Sequence, residues 1–304
     1  MSAAASPSVL GVRHTAALPG LPAGACDCHV HVLGPYARYP LDPGRGYTPR
    51  EASLEQLLAH QAALGFERVV LVQPSAYGTD NSRLRDALHA LGASARGVAV
   101  IDAGMSDAVL RDLHDAGVRG VRLNLETSGK NDPQAASQQL SAMARRVAPL
   151  GWHIQIYANL RMIQALHDTL AGLPVPVVID HFGKARAALG RGQPGFDALL
   201  SLLASGRVWI KLSGAHRISD LPDCEDAQAL VGVFSEINDE RLIWGSDWPH
   251  TGAWPGVPFI RDTINEFHPV DDGHAVNRLR RWLGDDALIR KVLAGNAKQL
   301  YGFG

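Results

Sequence analysis

Arg68-Val69-Val70-Leu71-Val72-Gln73 is an unbroken apolar run with a polar residue at each end. A strand with one face in water would alternate apolar and polar residues. An unbroken β-branched run marks a strand buried on both faces, as in parallel sheets covered by helices. The residues before it supply such a helix. Ser53-Leu54-Glu55-Gln56 is a capping box, Leu54, Leu57, Leu58 and Ala62 share one helical face, and Gly65 stops the helix. Further back, beyond a loop from Leu33 to Arg50 rich in Gly, Pro and Tyr, lies Cys26-Asp27-Cys28-His29-Val30-His31. It is a short strand ending in two histidines. Alternate side chains of a strand share a face, so His29 and His31 project together. They make half a metal site, a pair of donors aimed at one substrate atom, or two histidines with separate partners.

Downstream the alternation repeats. Strands are expected at Gly97–Ile101, Val118–Asn124, His153–Tyr157, Val175–His181, Arg207–Ser213 and Arg241–Asp247. Helices between them begin at Asp80 or Asn81, at Ser106 with Val109, Leu110 and Leu113 inward, at Asp132-Pro133 and at Asn159. Two more carry Phe196, Leu199, Leu200 and Leu203, then Leu230, Val231 and Phe234. Eight strand–helix units in this length predict a single-domain α/β protein, a (β/α)8 TIM barrel. A doubly wound sheet would need a break in the alternation and a Gly-rich first turn, and neither is present. The barrel is assigned to residues 25–304 and a flexible N-terminal arm, rich in Ala, Ser, Pro and Gly, to 1–24. Extra C-terminal helices carry Leu279, Trp282 and Leu283, then Leu288, Ile289, Val292 and Leu293. They either cover the barrel bottom or pack against a second copy in a homo-oligomer.

The 304 residues include 29 basic and 30 acidic ones. That balance offers no field for nucleic acid or an anionic membrane. No run of eighteen apolar residues is present, and the arm lacks the pattern of a signal peptide. Three cysteines cannot build a disulfide framework, and Cys26-Asp27-Cys28 lacks the second pair of a zinc site. A cytoplasmic protein with reduced thiols is expected.

Barrel active sites lie where strands end. Here the ends carry His29 and His31, Gln73 before Ser75 and Tyr77, Arg122 and Asn124, Tyr157, Asp180 and His181, Lys211 and Ser213 with Arg217 beyond, and Asp247 before His250. Ionisable groups thus gather at one rim. Lys211 groups with Trp209 and Ser213 by alternation, facing the lumen or snorkelling. Lys211 and Arg119 are read as structural, and Tyr77 and His250 stay open.

Five motifs carry a resemblance: Asp27-Cys28-His29-Val30-His31, Val72-Gln73-Pro74-Ser75, Gly120-Val121-Arg122-Leu123-Asn124, Asp180-His181-Phe182-Gly183 and Trp244-Gly245-Ser246-Asp247-Trp248-Pro249-His250. Together they resemble the amidohydrolase superfamily, and more narrowly its lactonase branch of pyrone-dicarboxylate and sugar-acid lactonases. The resemblance implies hydrolysis of a small, anionic lactone by an enzyme of catabolism. It assigns Asp247 as acid/base, with His29, His31 and His181 donating hydrogen bonds to the scissile carbonyl. Arg122 and Arg217 match positions that hold substrate carboxylates, and Tyr47, Ser75, Tyr157, Lys130 and Lys184 complete the substrate-binding set. Lys130, in Leu125-Glu126-Thr127-Ser128-Gly129-Lys130, and Lys184 stand where the pyrone enzyme has arginine. A lysine offers a point charge in place of a planar fork, so the substrate does not transfer directly.

Mononuclear metal sites in this superfamily add a histidine from the fifth strand. His153 begins that strand and Tyr157 ends it on the same face, about 13 Å further along at 3.3 Å per residue. Ligands lie about 2 Å from zinc. His153 is therefore out of reach, and a cofactor-free, metal-independent site is expected. The alternatives are a hydrolase or decarboxylase holding zinc or manganese at His29, His31, His181 and Asp247, and a non-catalytic ligand-binding barrel.

Overall fold

The computed structural model describes residues 8–16, 20–126, 132–252 and 260–304. Eight strands, β1 (Cys26–Val30), β2 (Arg68–Val72), β3 (Ala95–Ala99), β4 (Val118–Asn124), β5 (His153–Tyr157), β6 (Val177–Ile179), β7 (Val208–Ser213) and β8 (Leu242–Gly245), pair in sequence order, each parallel to the next. Single contacts close the seam between β1 and β8. The Asp247 N–H donates to His29 O at 2.9 Å and the His31 N–H to Trp248 O at 2.8 Å. Helices α1 (Leu54–Leu64), α2 (Ser82–Leu91), α3 (Asp107–Asp115), α4 (Pro133–Val147), α5 (Leu160–Ala165), α6 (His167–Gly172), α7 (Phe196–Ala204) and α8 (Ala227–Asn238) fill the connections, as expected of a TIM barrel.

Apolar residues on both strand faces have separate uses. Cys26, Cys28, Val70, Val72, Val98, Val178, Trp209 and Ile243 make one cluster with Tyr301 and Phe303. It is the lower lumen, plugged by the C-terminal tail. Arg68 and Arg96 hold the plug by donating to Gly304 O at 2.7 Å and Tyr301 O at 3.2 Å. The opposite strand faces pack on the helices in a second, larger cluster. His153 lies in the lower lumen against Tyr301, ring centroids 5.3 Å apart, and lines no part of the upper cavity.

Local signals hold where they are local. Ser53 and Gln56 form the capping box, Gly65 takes a left-handed C-cap, and Ser106, Asp132 and Asn159 each accept a cap hydrogen bond. Asn81 departs from this. Its side chain bridges Val100 N–H and C=O, while Asp80 accepts from the Ser82 N–H. Other boundaries move with tertiary context. β3 starts two residues early, Val109 faces solvent, and the helix from Asn159 breaks at Leu166 into α5 and α6. β6 stops at Ile179 because His181 and Phe182 have φ of 49° and 57°, outside strand conformation. The arm expected to be flexible is tied down where it is described. Ser8–Val9 pairs with Val12–Arg13, His14 is buried, and the Thr15 N–H donates to Asp271 at 2.8 Å. The N-terminal half of α9 (Asp272–Leu283) supplies its partners: the N-cap Asp271, the Asp272 N–H, which donates to His14 Nδ1 at 3.1 Å, and Asn277 Nδ2, which donates to Ala16 O at 2.9 Å.

Candidate active site

β1 carries an irregularity that sets the site. Cys26 and Cys28 face the lumen, and Asp27 points out to Gln61 of α1. Strict alternation would turn His29 outward as well. A register shift between Asp27 and Val30 reverses the phase, so His29 meets the lumen groups Lys211 and Asp180. Asp27 closes the same turn by accepting from the N–H groups of His29, at 3.2 Å, and Ser246, at 2.9 Å.

Asp180 is the hub beneath the rim. Its Oδ2 accepts from Arg122 Nε and Gln155 Nε2, each at 3.0 Å, and its Oδ1 lies 3.4 Å from His29 Nδ1 and 3.5 Å from Lys211 Nζ. Burial alone would push this carboxyl up. Lys211, His29 and Arg122 overrule that and hold it well below the usual carboxylate range. Lys211, read as structural from sequence, is a lumen residue at the centre of the polar cluster. The available signal was an ionisable residue in a lumen stripe beside a strand that ends in Asp. A buried ammonium needs a partner.

Above the hub, Asp247 sits at the cavity floor in a left-handed conformation, φ 73°. Arg217 donates to its Oδ2 through Nε at 2.7 Å and to Thr251 O through Nη2, which also lies 2.6 Å from Oδ2 as an ion-pair contact. Oδ1 faces His29 Nε2 at 3.8 Å and His181 Nε2 at 3.7 Å, too far for hydrogen bonds. Burial raises the Asp247 carboxyl, but Arg217 and the three histidines bring it well below the usual range. His31 and His181 are both lowered to about 4, chiefly by burial, and so are neutral near pH 7. His31 Nδ1 is 2.7 Å from Val72 O. A carbonyl only accepts, so Nδ1 carries the proton and Nε2 presents a lone pair. His31 is therefore an acceptor, against the donor role expected from sequence. His181 Nδ1 shares a hydrogen bond with Ser213 Oγ at 2.8 Å.

A cavity of about 1140 Å³ opens over this floor, lined among others by His31, Tyr47, Ser75, Arg122, Tyr157, His181, Lys184, Arg217 and Asp247. His29 is fully buried beneath it and is not among the lining residues. Lys130 lies outside the described residues. Three expected carboxylate binders are already engaged: Arg122 by Asp180 at 3.0 Å, Arg217 by Asp247, and Lys184 by Glu126 at 2.7 Å. His216 and His268, which the strand-end rule missed because they lie on loops, also line the cavity. His250 supports the floor from behind. Its N–H donates to Asp247 O at 2.7 Å and its Nε2–H to Asp272 at 2.9 Å, where His60 of α1 also donates at 2.9 Å.

By type and spacing, His29, His181 and Asp247 could hold a metal ion, since one ligand atom from each lies within 4.8 Å of the others. The buried His29 Nε2 makes no hydrogen bond among the described residues.

A family model described as amidohydrolase matches residues 26–303. A 2-pyrone-4,6-dicarboxylate hydrolase of Comamonas testosteroni is 36% identical over 295 residues, covering 92% of this chain and 91% of that protein. A 4-sulfomuconolactone hydrolase of Rhizobium radiobacter is 37% identical over 289 residues, covering 93% and 91%. A crystal structure of a probable 2-pyrone-4,6-dicarboxylic acid hydrolase from Acinetobacter baumannii, with citric acid bound, superposes with a TM-score of 0.79 at 29% identity. It covers 92% of this chain and all of that one.

Proposed function

The chain belongs to the amidohydrolase family, and on that footing we propose that it hydrolyses a small anionic lactone without a metal, Asp247 serving as the acid/base. One observation carries the reading: a buried carboxylate at the cavity floor, Oδ2 fixed by Arg217 and Oδ1 turned to His29 and His181 beyond hydrogen-bond distance. Relatives that are 36% and 37% identical over nine-tenths of the chain act on cyclic esters, which supports the substrate class.

The mechanism follows from the groups present. Water held by the His31 Nε2 lone pair attacks the lactone carbonyl while Asp247 Oδ1 takes its proton. Negative charge gathers on the carbonyl oxygen, where His181 Nε2–H and the Arg122 guanidinium are the donors. Each such donor is typically worth about 3 kcal/mol in the transition state. Collapse breaks the ring C–O bond, and Asp247 returns the proton to the departing oxygen. Hydroxyl and carboxylate leave as one open-chain product. Tyr47, Ser75, Tyr157 and Lys184 orient the substrate's anionic and hydroxyl groups.

Charge supports metal independence. The set His29–His181–Asp247 has one anion, which Arg217 neutralises, and the Lys211 ammonium lies 3.4 Å from the far ring nitrogen of His29. With Asp180 and its partner Arg122 counted, the buried cluster sets the two carboxylates of Asp180 and Asp247 against Arg122, Lys211 and Arg217, so a divalent cation would enter a site already one positive charge in excess, which the donor set does not suit.

The test is hydrolysis of pyrone carboxylates, muconolactones, sulfonated ones included, and aldonolactones by chelator-dialysed protein. At least one should open, and Asp247→Asn should lower kcat at least 10³-fold while substrate still binds. No turnover of any lactone, or Asp247→Asn keeping more than a few per cent, overturns the reading. Turnover that returns only on adding zinc or manganese establishes the metal-dependent alternative.

A further inference from the structure

Lys211 lies mid-strand in β7, fully buried and absent from the cavity lining. An ammonium carries three protons and no lone pair. Three acceptors surround its Nζ: Gln155 Oε1 at 2.7 Å, His29 Nδ1 at 3.4 Å and Asp180 Oδ1 at 3.5 Å. Asp180 Oδ1 is equally 3.4 Å from His29 Nδ1, so the lysine and the carboxylate compete for that ring nitrogen. The proton inventory separates the two arrangements. With the proton on Nδ1, an imidazole N–H faces an ammonium and one Lys211 proton has no acceptor. With the proton on Nε2, Lys211 donates to both Gln155 Oε1 and His29 Nδ1 with Asp180 Oδ1 in ion-pair contact, Asp180 still receives Arg122 and Gln155 on Oδ2, and Nε2–H points at Asp247 Oδ1 3.8 Å away. Nδ1 meets hydrogen-bond geometry with Lys211 and not with Asp180, whose Oδ1 makes no hydrogen bond among the described residues, and an N–H turned towards the Asp247 carboxylate is attracted where one turned towards an ammonium is repelled.

We propose that Lys211 is a positioning residue that fixes His29 as the Nε2–H tautomer, so that an N–H and not a lone pair faces Asp247 Oδ1. Metal-binding histidines show the opposite arrangement: the far nitrogen donates to a carboxylate or carbonyl and the near one gives its lone pair to the ion. Asp180 stands where that carboxylate would, and Lys211 takes the ring nitrogen instead. The same His–Asp set is thereby turned from holding a cation to handling a proton. His29 Nε2–H steadies the carboxylate that faces the attacking water. The catalytic consequence rests on the proposed role of Asp247; the tautomer does not.

Neutron diffraction from deuterium-exchanged crystals of the full chain reads the tautomer directly. A deuteron on His29 Nε2 and none on Nδ1 is expected; the reverse overturns the proposal. In Lys211→Met the deuteron should move to Nδ1, facing Asp180. Zinc affinity, by competition with a chromophoric chelator, should rise at least tenfold. Lactone kcat should fall at least tenfold with KM within about twofold. Unchanged zinc affinity and an unmoved deuteron in that variant also overturn it. Should Lys211→Met fail to fold, the wild-type neutron map alone decides. A chain that opens no lactone but carries the Nε2 deuteron would refute the proposed function and leave this inference standing.

Discussion

Asp247 answers to two opposing demands. A base must hold a proton briefly, yet Arg217 donates to Oδ2 through Nε, with Nη2 in ion-pair contact, and keeps the carboxylate ionised well below its usual range. Protonated Asp247 cannot accept from water, so its titration sets the acid limb of kcat/KM. Removing the guanidinium takes away the chief lowering influence and moves that limb upward. Arg217→Met should shift it by at least one pH unit in a pH–rate profile; a limb that stays in place belongs to another group. Residues such as His31, His181 and Asp247 were legible from sequence because strand ends in a barrel share one rim. Their partners were not. Whether Arg217 faces substrate or Asp247, and whether His31 donates or accepts, depends on atoms from distant segments such as Val72 O.

At the scale of elements, the phase reversal in β1 and the narrow seam beside it act together. Gly245 ends β8 where an added Cβ would lie 2.7 Å from both Cβ and N of His29. No side chain has room there, so any substituent pushes the last strand off the first. Gly245→Ala should lower stability by about 1–3 kcal/mol, as overpacking does, and cut activity at least tenfold by displacing His29 from Asp247. Thermal melting and turnover measured together check this; a stable, fully active variant would show that the seam yields. Caps such as Ser53 and Asn159 were readable because their partners lie within three residues. The β1 shift was not, since strand phase is set by pairing with β2. The barrel bottom, one of two uses expected for the C-terminal helices, is filled by Tyr301 and Phe303 of the tail, whereas Leu279 and Trp282 of α9 line the upper cavity.

Across the whole molecule, buried neutral histidines tie stability to pH. His31 and His181 titrate near 4 in the folded chain and near 6.5 when unfolded. Between those values the unfolded state binds more protons, so stability rises with pH and falls on acidification. The expected slope is about 1.4 kcal/mol per pH unit for each histidine. Denaturant melts from pH 7 to 4 should lose stability steadily, and His181→Gln should flatten the slope; a flat wild-type profile would contradict the burial of these rings. The seam has a wider meaning at this scale. Asp27 and Ser246, joined by one hydrogen bond, are 219 residues apart, so the pocket's two halves come from opposite ends of the chain. Closing so long a loop is a late and entropically costly event. Turnover is therefore a certificate of completed assembly: a half-made or fraying barrel keeps most of its helices and has no chemistry at all.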